Sequence, residues 1–157
     1  MTDTTDIGTR FEVWVAKLLQ DLGKLGVKHN VVEDAKPNGE NIRRCQLDVV
    51  YGSKNKIYGE CKYKSNQAIP IDDVQKFVGV LKLLDVPVQR GVMFTNTEYH
   101  PAARFLAEQE GLNLYDGKDI ERMDYVRLMK PYTRAIDQRR IPRFERPSLE
   151  EQLGINT

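Results

Sequence analysis

The chain lacks any run of about eighteen apolar residues, so no segment reads as a membrane-spanning helix. It has little cysteine and histidine, two of each among 157 residues. Cys45 and Cys61, with the distant His29 and His100, do not have the spacing of a zinc site. The stretch Met1 to Asp6 is polar and acidic. It has neither the basic start and apolar centre of a signal peptide nor the Arg-rich face of a transit peptide. The chain is therefore expected to be cytoplasmic, with no membrane partner and with both cysteines as reduced thiols. An excess of either charge is missing too: 24 Lys and Arg against 23 Asp and Glu give a net charge of +1. Global charge thus does not mark a nucleic-acid binder. Repeats and low-complexity tracts are absent.

What is present is locally uneven charge. Residues 51–66 hold Lys54, Lys56, Lys62 and Lys64 against Glu60 alone. The stretch from Arg127 to Arg146 holds seven basic residues against Asp137 and Glu145. Such patches can dock phosphates in a chain that is neutral overall. For any single one of these residues, solvating a surface is the simpler reading.

Hydrophobic periodicity predicts an α-β-β-β-α-β-α-β order. Phe11, Trp14, Val15, Leu18, Leu19, Leu22 and Leu25 form a helical stripe over residues 8–25, closed by Gly23 and Gly26. Glu12 lies at the edge of that stripe. An acid in a helix's first turn is favoured by the helix dipole whatever its function. Residues 27–35 suit a strand and 36–42 a loop. Two apolar runs around Gly52-Ser53-Lys54-Asn55 read as a hairpin. A helix over 71–84 follows, then a doubly buried strand over 91–95. A helix over 99–110 is expected with Ala102, Ala103, Leu106 and Ala107 inward. A strand over 112–115, an Asp116-Gly117 turn and a helix over 120–129 complete the pattern. Hairpin pairing with a later right-handed β-α-β unit gives an α/β fold. Its mixed sheet of about five strands would carry helices on both faces. Residues 1–130 are read as one domain. Residues 131–157 form a Pro- and Arg-rich arm, ending in a short helix near Ser148 to Leu153 and available to a partner protein.

The hairpin carries the chemistry. Asp48 lies between Leu47 and Val49, where an unpaired charge is costly. Side chains alternate along a strand, so Glu60 and Lys62 share a face, and the hairpin brings Asp48 near residues 59–60. Two carboxylates supply hard oxygen ligands for Mg²⁺, with Mn²⁺ as a substitute. A neighbouring ammonium can hold a water or stabilise growing negative charge. The bland alternative is a solvent-facing Glu-Lys pair on an edge strand, worth little.

The arrangement Asp48-x11-Glu60-x-Lys62 after an acid-bearing helix resembles the PD-(D/E)xK nuclease superfamily. The resemblance extends to four segments in order: 71–81, Gly91-Val92-Met93-Phe94-Thr95-Asn96-Thr97, Pro101 to Ala107, and Leu114-Tyr115-Asp116-Gly117. Over about residues 8 to 120 the chain is similar to the catalytic domain of Mrr-type restriction endonucleases. The resemblance implies a restriction-endonuclease-like fold and a metal-dependent DNA endonuclease. Asp48 and Glu60 would hold the metal and Lys62 would assist the attacking water. Archaeal Holliday-junction resolvases share the core and carry an acid in the first helix, matched by Glu12 as a further catalytic and metal-binding candidate. Gln75 matches a polar position that lines the site in these nucleases. Arg43 and Arg44, on the approach to Asp48, and Lys64 are the candidates for nucleic-acid binding. Mrr-type enzymes commonly carry a separate recognition domain, for which these residues leave no room. Structure-directed or weakly specific cleavage is therefore expected, by a homodimer with one site per DNA strand. The alternatives are a Holliday-junction resolvase-type enzyme and a non-catalytic DNA-binding or assembly module.

Overall fold

The computed structural model describes residues 4–132 and 145–155. Among these, no helix is long and apolar enough to cross a membrane. Helix α1 (Thr4–Asp21) buries Phe11, Val15, Leu18 and Leu19. It ends in a Schellman turn: Gly23 adopts φ +92°, Gly23 N donates to Gln20 O at 2.9 Å and Lys24 N to Leu19 O at 3.0 Å. The helix thus starts earlier and stops earlier than its apolar stripe suggested. Leu25 falls beyond the stop and is exposed, its carbonyl accepting from Gly52 N.

Five strands follow: β1 (Lys28–Ala35), β2 (Arg43–Tyr51), β3 (Ile57–Lys62), β4 (Gly91–Thr95) and β5 (Asn113–Tyr115). They lie in the order β1-β2-β3-β4-β5. The first three pair antiparallel, and β3-β4-β5 pair parallel. Helices α2 (Ile71–Leu83) and α3 (Pro101–Glu110) make the two parallel crossovers and pack on each other. They cover one face with Val74, Phe77, Leu81, Ala103 and Ala107. Ala102, expected inward, is exposed because it lies 100° from Ala103 on the helix. Helix α4 (Gly117–Met129) starts earlier than expected because Asp116 and Asp119 form a reciprocal capping box.

The opposite face is covered by α1, α4 and a short helix α5 (Leu149–Leu153), whose Leu149 and Leu153 enter the same core as Phe11 and Trp14. The end of the expected arm is therefore packed on α1. Its middle, residues 133–144, lies outside the described residues, and with it falls the expected contact with a partner protein. A fully buried carboxylate, Asp124 on α4, secures this end. It accepts from Arg127, from Arg146 Nε at 2.6 Å and from Gln152 Nε2 at 2.8 Å.

Candidate active site

The site forms where β2 and β3 part. The two strands pair from Tyr51↔Ile57 to Val49↔Gly59 and no further. Beyond that point β2 continues along β1, and β3 continues along β4. The close approach at the last pair depends on Gly59, where a Cβ would lie 2.5 Å from Val49 Cγ1. At the fork the side-chain alternation of β2 slips. Leu47 enters the core under α2, whereas Val49 enters the core under α1. The β1-β2 ladder also skips the pair Asn30 and Asp48, with Asn30 at φ +56°. Asp48 sits at this slip, and Cys61 N donates to its Oδ2 at 2.8 Å. The carboxylate thus takes the place that a backbone carbonyl would hold in an uninterrupted ladder.

Glu60 reaches the fork from the α2 side and Glu12 from the α1 side. Both lie near enough to Asp48 for its charge to raise their carboxyls. Burial pushes the Glu60 carboxyl up to about 8, with the Asp48 charge adding to the rise and Lys62 opposing it. Burial also raises the Glu12 carboxyl, against a hydrogen bond from His29 and with the Asp48 charge. Lys62 Nζ stands 3.7 Å from Glu60 Oε1. With all three carboxyls ionised, the site would hold more negative charge than its one ammonium offsets. Burial drives the Cys61 thiol well above its ordinary value, so it remains a protonated core group and not a nucleophile.

The fork opens into a cleft of about 350 Å³. One wall is Arg43, Arg44, Cys45 and Gln46 of β2, another is Glu60 and Lys62 of β3, and α2 supplies Asp73, Lys76, Phe77 and Val80. Among the expected residues, Asp48, Glu60 and Glu12 come together, Lys62 stands beside them, and Arg43 and Arg44 line the cleft. Arg44 also pairs loosely with Asp34, at 3.5 Å. Lys64 lies past the end of β3, where its backbone clasps the Asn96 side chain through bonds of 2.8 and 2.7 Å. It does not line the cleft. Neither does Gln75, which is exposed on α2, and Asp73 and Lys76 stand there instead. Glu12 lies midway along α1, so the first-turn dipole does not account for it.

The sequence signal for Asp73 was Pro70. An acid at the third helical position normally accepts from the N-cap N–H, but proline has none, and Asp73 Oδ2 is buried without a hydrogen-bond partner. A larger open recess, of about 970 Å³, lies between the loops after β3 and β4, the start of α4 and residues 146–151. It contains none of the site carboxylates.

Among the described residues no three His, Cys, Asp or Glu side chains close into a ready-made metal cage. Mg²⁺ does not require one. It keeps several waters and binds through one or two carboxylates together with substrate phosphates. Asp48 and Glu60 fit that need in donor type and in charge.

Comparison with known proteins agrees with this fold. Three solved structures share the fold. AF1548, a protein of unknown function, superposes with a TM-score of 0.64 at 22% identity, over 75% of this chain and 66% of its own. Can2 from Sulfobacillus thermosulfidooxidans, solved with cyclic tetra-adenylate, has a TM-score of 0.55 at 18% identity, over 78% of this chain and 35% of its own. VC1899 from Vibrio cholerae has a TM-score of 0.50 at 16% identity, over 82% of this chain and 32% of its own. The chain thus spans about a third of the last two and just under two thirds of AF1548. No curated protein matches the sequence. The model of the Mrr catalytic domain, described as a restriction endonuclease, matches residues 6–123, across all five strands and every expected site residue. With a mixed five-stranded sheet between helices and the acidic fork at its centre, this chain belongs to the Mrr catalytic-domain family of restriction endonucleases.

Proposed function

We propose that the protein is a Mg²⁺-dependent DNA endonuclease, structure-directed or weakly specific for sequence. The observation that carries this reading is the convergence at the fork of Asp48, held by Cys61 N at 2.8 Å, and Glu60, 3.7 Å from Lys62, with Glu12 near enough for the Asp48 charge to raise its carboxyl. Buried like charges repel, and a site that keeps them is arranged for a cation from outside.

Asp48 and Glu60 would hold the metal, with Glu12 as a further ligand. The bound ion would supply Lewis acidity at phosphorus and a water made easier to deprotonate. Lys62, 3.7 Å from Glu60, would orient that water and, as an ammonium, help it lose its proton to solvent. Attack in line forms a bond from the water oxygen to phosphorus, breaks the bond to the 3′ oxygen and leaves a 5′-phosphate. Arg43 and Arg44 dock the strand's phosphates along the cleft, and Lys64 adds charge beyond its end. A homodimer supplies one site for each strand of a duplex.

Junction resolution is the second reading, favoured by Glu12 at the fork. Incubation with Mg²⁺ and a panel of four-way junction, duplex, single-stranded DNA and RNA, beside Lys62→Ala, tests both. Metal-dependent duplex cleavage lost in Lys62→Ala supports the first, and junction-selective cleavage supports the second. Cleavage of nothing by the wild type, or equal cleavage by Lys62→Ala, sinks the catalytic reading.

A further inference from the structure

One residue outside every motif touches the site. His29 Nε2 lies 3.0 Å from Glu12 Oε2, joining β1 to α1 across seventeen residues of chain. We propose that His29 is a positioning residue, whose hydrogen bond holds the Glu12 carboxylate turned toward Asp48 and the cation bound there. The inference rests on the metal site proposed above.

Charge balance supports the role. Glu12 is a flexible side chain midway along α1, and the groups it meets at the fork, Asp48 and Glu60, are both acids. Without a cation they push its carboxylate outward, toward water. The imidazole supplies an attraction that keeps it in. An ionised carboxylate only accepts, so Nε2 carries the hydrogen and donates it. Carboxylates that bind metals are commonly held by such outer hydrogen bonds.

The backbone supports it independently. His29 pairs with Val49, the first β2 residue after the slip, and Asn30 beside it takes the left-handed conformation at φ +56°. Asparagine tolerates that region better than most residues, but it is not a strand conformation. The interruption on β1 therefore falls opposite the slip at Asp48, and His29 is the residue at its edge whose side chain reaches the acids. If the contact were only a surface ion pair between partly exposed groups, it would contribute little and leave metal binding unaltered.

Mn²⁺ binding to the full chain, measured by calorimetry with the metal-free melting temperature alongside, tests this without any turnover. His29→Ala should weaken Mn²⁺ binding about tenfold. His29→Gln, which keeps an N–H donor, should recover part of the loss. In a Glu12→Gln background, His29→Ala should weaken binding no further. Wild-type affinity in His29→Ala while Asp48→Asn loses binding overturns the role of His29 alone. An undiminished effect of His29→Ala in the Glu12→Gln background overturns it as well. Wild-type affinity in Asp48→Asn overturns the site itself, and the inference with it.

Discussion

Among the described residues two aspartates are buried, and their surroundings are opposite. Asp124 is wholly buried and accepts from three donors, Arg127, Arg146 and the Gln152 amide. The circuit closes on itself. Gln152 Oε1 accepts from Trp14 Nε1 at 2.9 Å, and Arg127 lies 5.2 Å over the Trp14 ring. Asp48 is 7% exposed, accepts the Cys61 N–H, and has two more acids beside it. A buried charge that the fold compensates belongs to the architecture. A buried charge left among like charges awaits a counter-charge the fold does not provide. The difference separates structure from chemistry more clearly than burial alone.

The comparison can be broken by experiment. The largest effect is expected at Asp48: Asp48→Asn should lower cleavage by about 10³-fold or more while the metal-free protein stays folded, as cleavage rates and thermal melts would show. Asp124→Ala should do the reverse. It removes the carboxylate shared by two largely buried guanidinium groups and should cost about 3 kcal/mol of stability by denaturant titration. Cleavage per folded molecule should persist. If Asp124→Ala abolished metal binding in folded protein, the division of roles would fail.

A smaller effect concerns protons. Burial holds the Glu60 carboxyl at about 8 in the metal-free protein, so metal binding must expel its proton. Mg²⁺ affinity should rise as pH climbs toward 8, by up to about tenfold per unit, and level off above it. The linkage to folding has the opposite slope. Because the folded value is raised from 4.5, the stability tied to Glu60 is complete below that pH and is lost as pH rises through about 8. Glu60→Gln should flatten this decline, which denaturant midpoints between pH 5 and pH 8.5 would reveal. The smallest effect is expected from Arg43→Ala with Arg44→Ala. DNA affinity should fall a few-fold for all sequences, and the slope of log affinity against log salt should shrink by about one to two.

The shared face of Glu60 and Lys62 was legible because a strand's side-chain period is two, whereas the slip at Asp48 was not, because it breaks that period. The position of Glu12 was legible only through family resemblance, since no local rule tells where a helix crosses a sheet. The first turn of α1 was hidden because Thr4, Thr5 and Asp6 interrupt the apolar stripe. The choice of Asp73 and Lys76 over Gln75 was hidden for a geometric reason. Gln75 lies about 200° from Asp73 and about 100° from Lys76 around the helix, and which face is buried depends on how α2 packs on the sheet. The docking of α5 was hidden because Leu149 and Leu153 are too few to mark a packed helix. Their partners on α1 lie more than a hundred residues away.

That last separation bears on how the molecule folds. The face under α2 and α3 is covered by crossovers that follow directly on the strands they cover. The face under α1 is complete only when α5 arrives, and its bonds to Arg10 and Trp14 span 143 and 138 residues. Contacts across such loops close slowly, because the entropy of loop closure opposes them before packing rewards them. The local half of the fold should therefore consolidate first. Glu12, carried on the helix that is covered last, should be the last of the carboxylates to reach the fork.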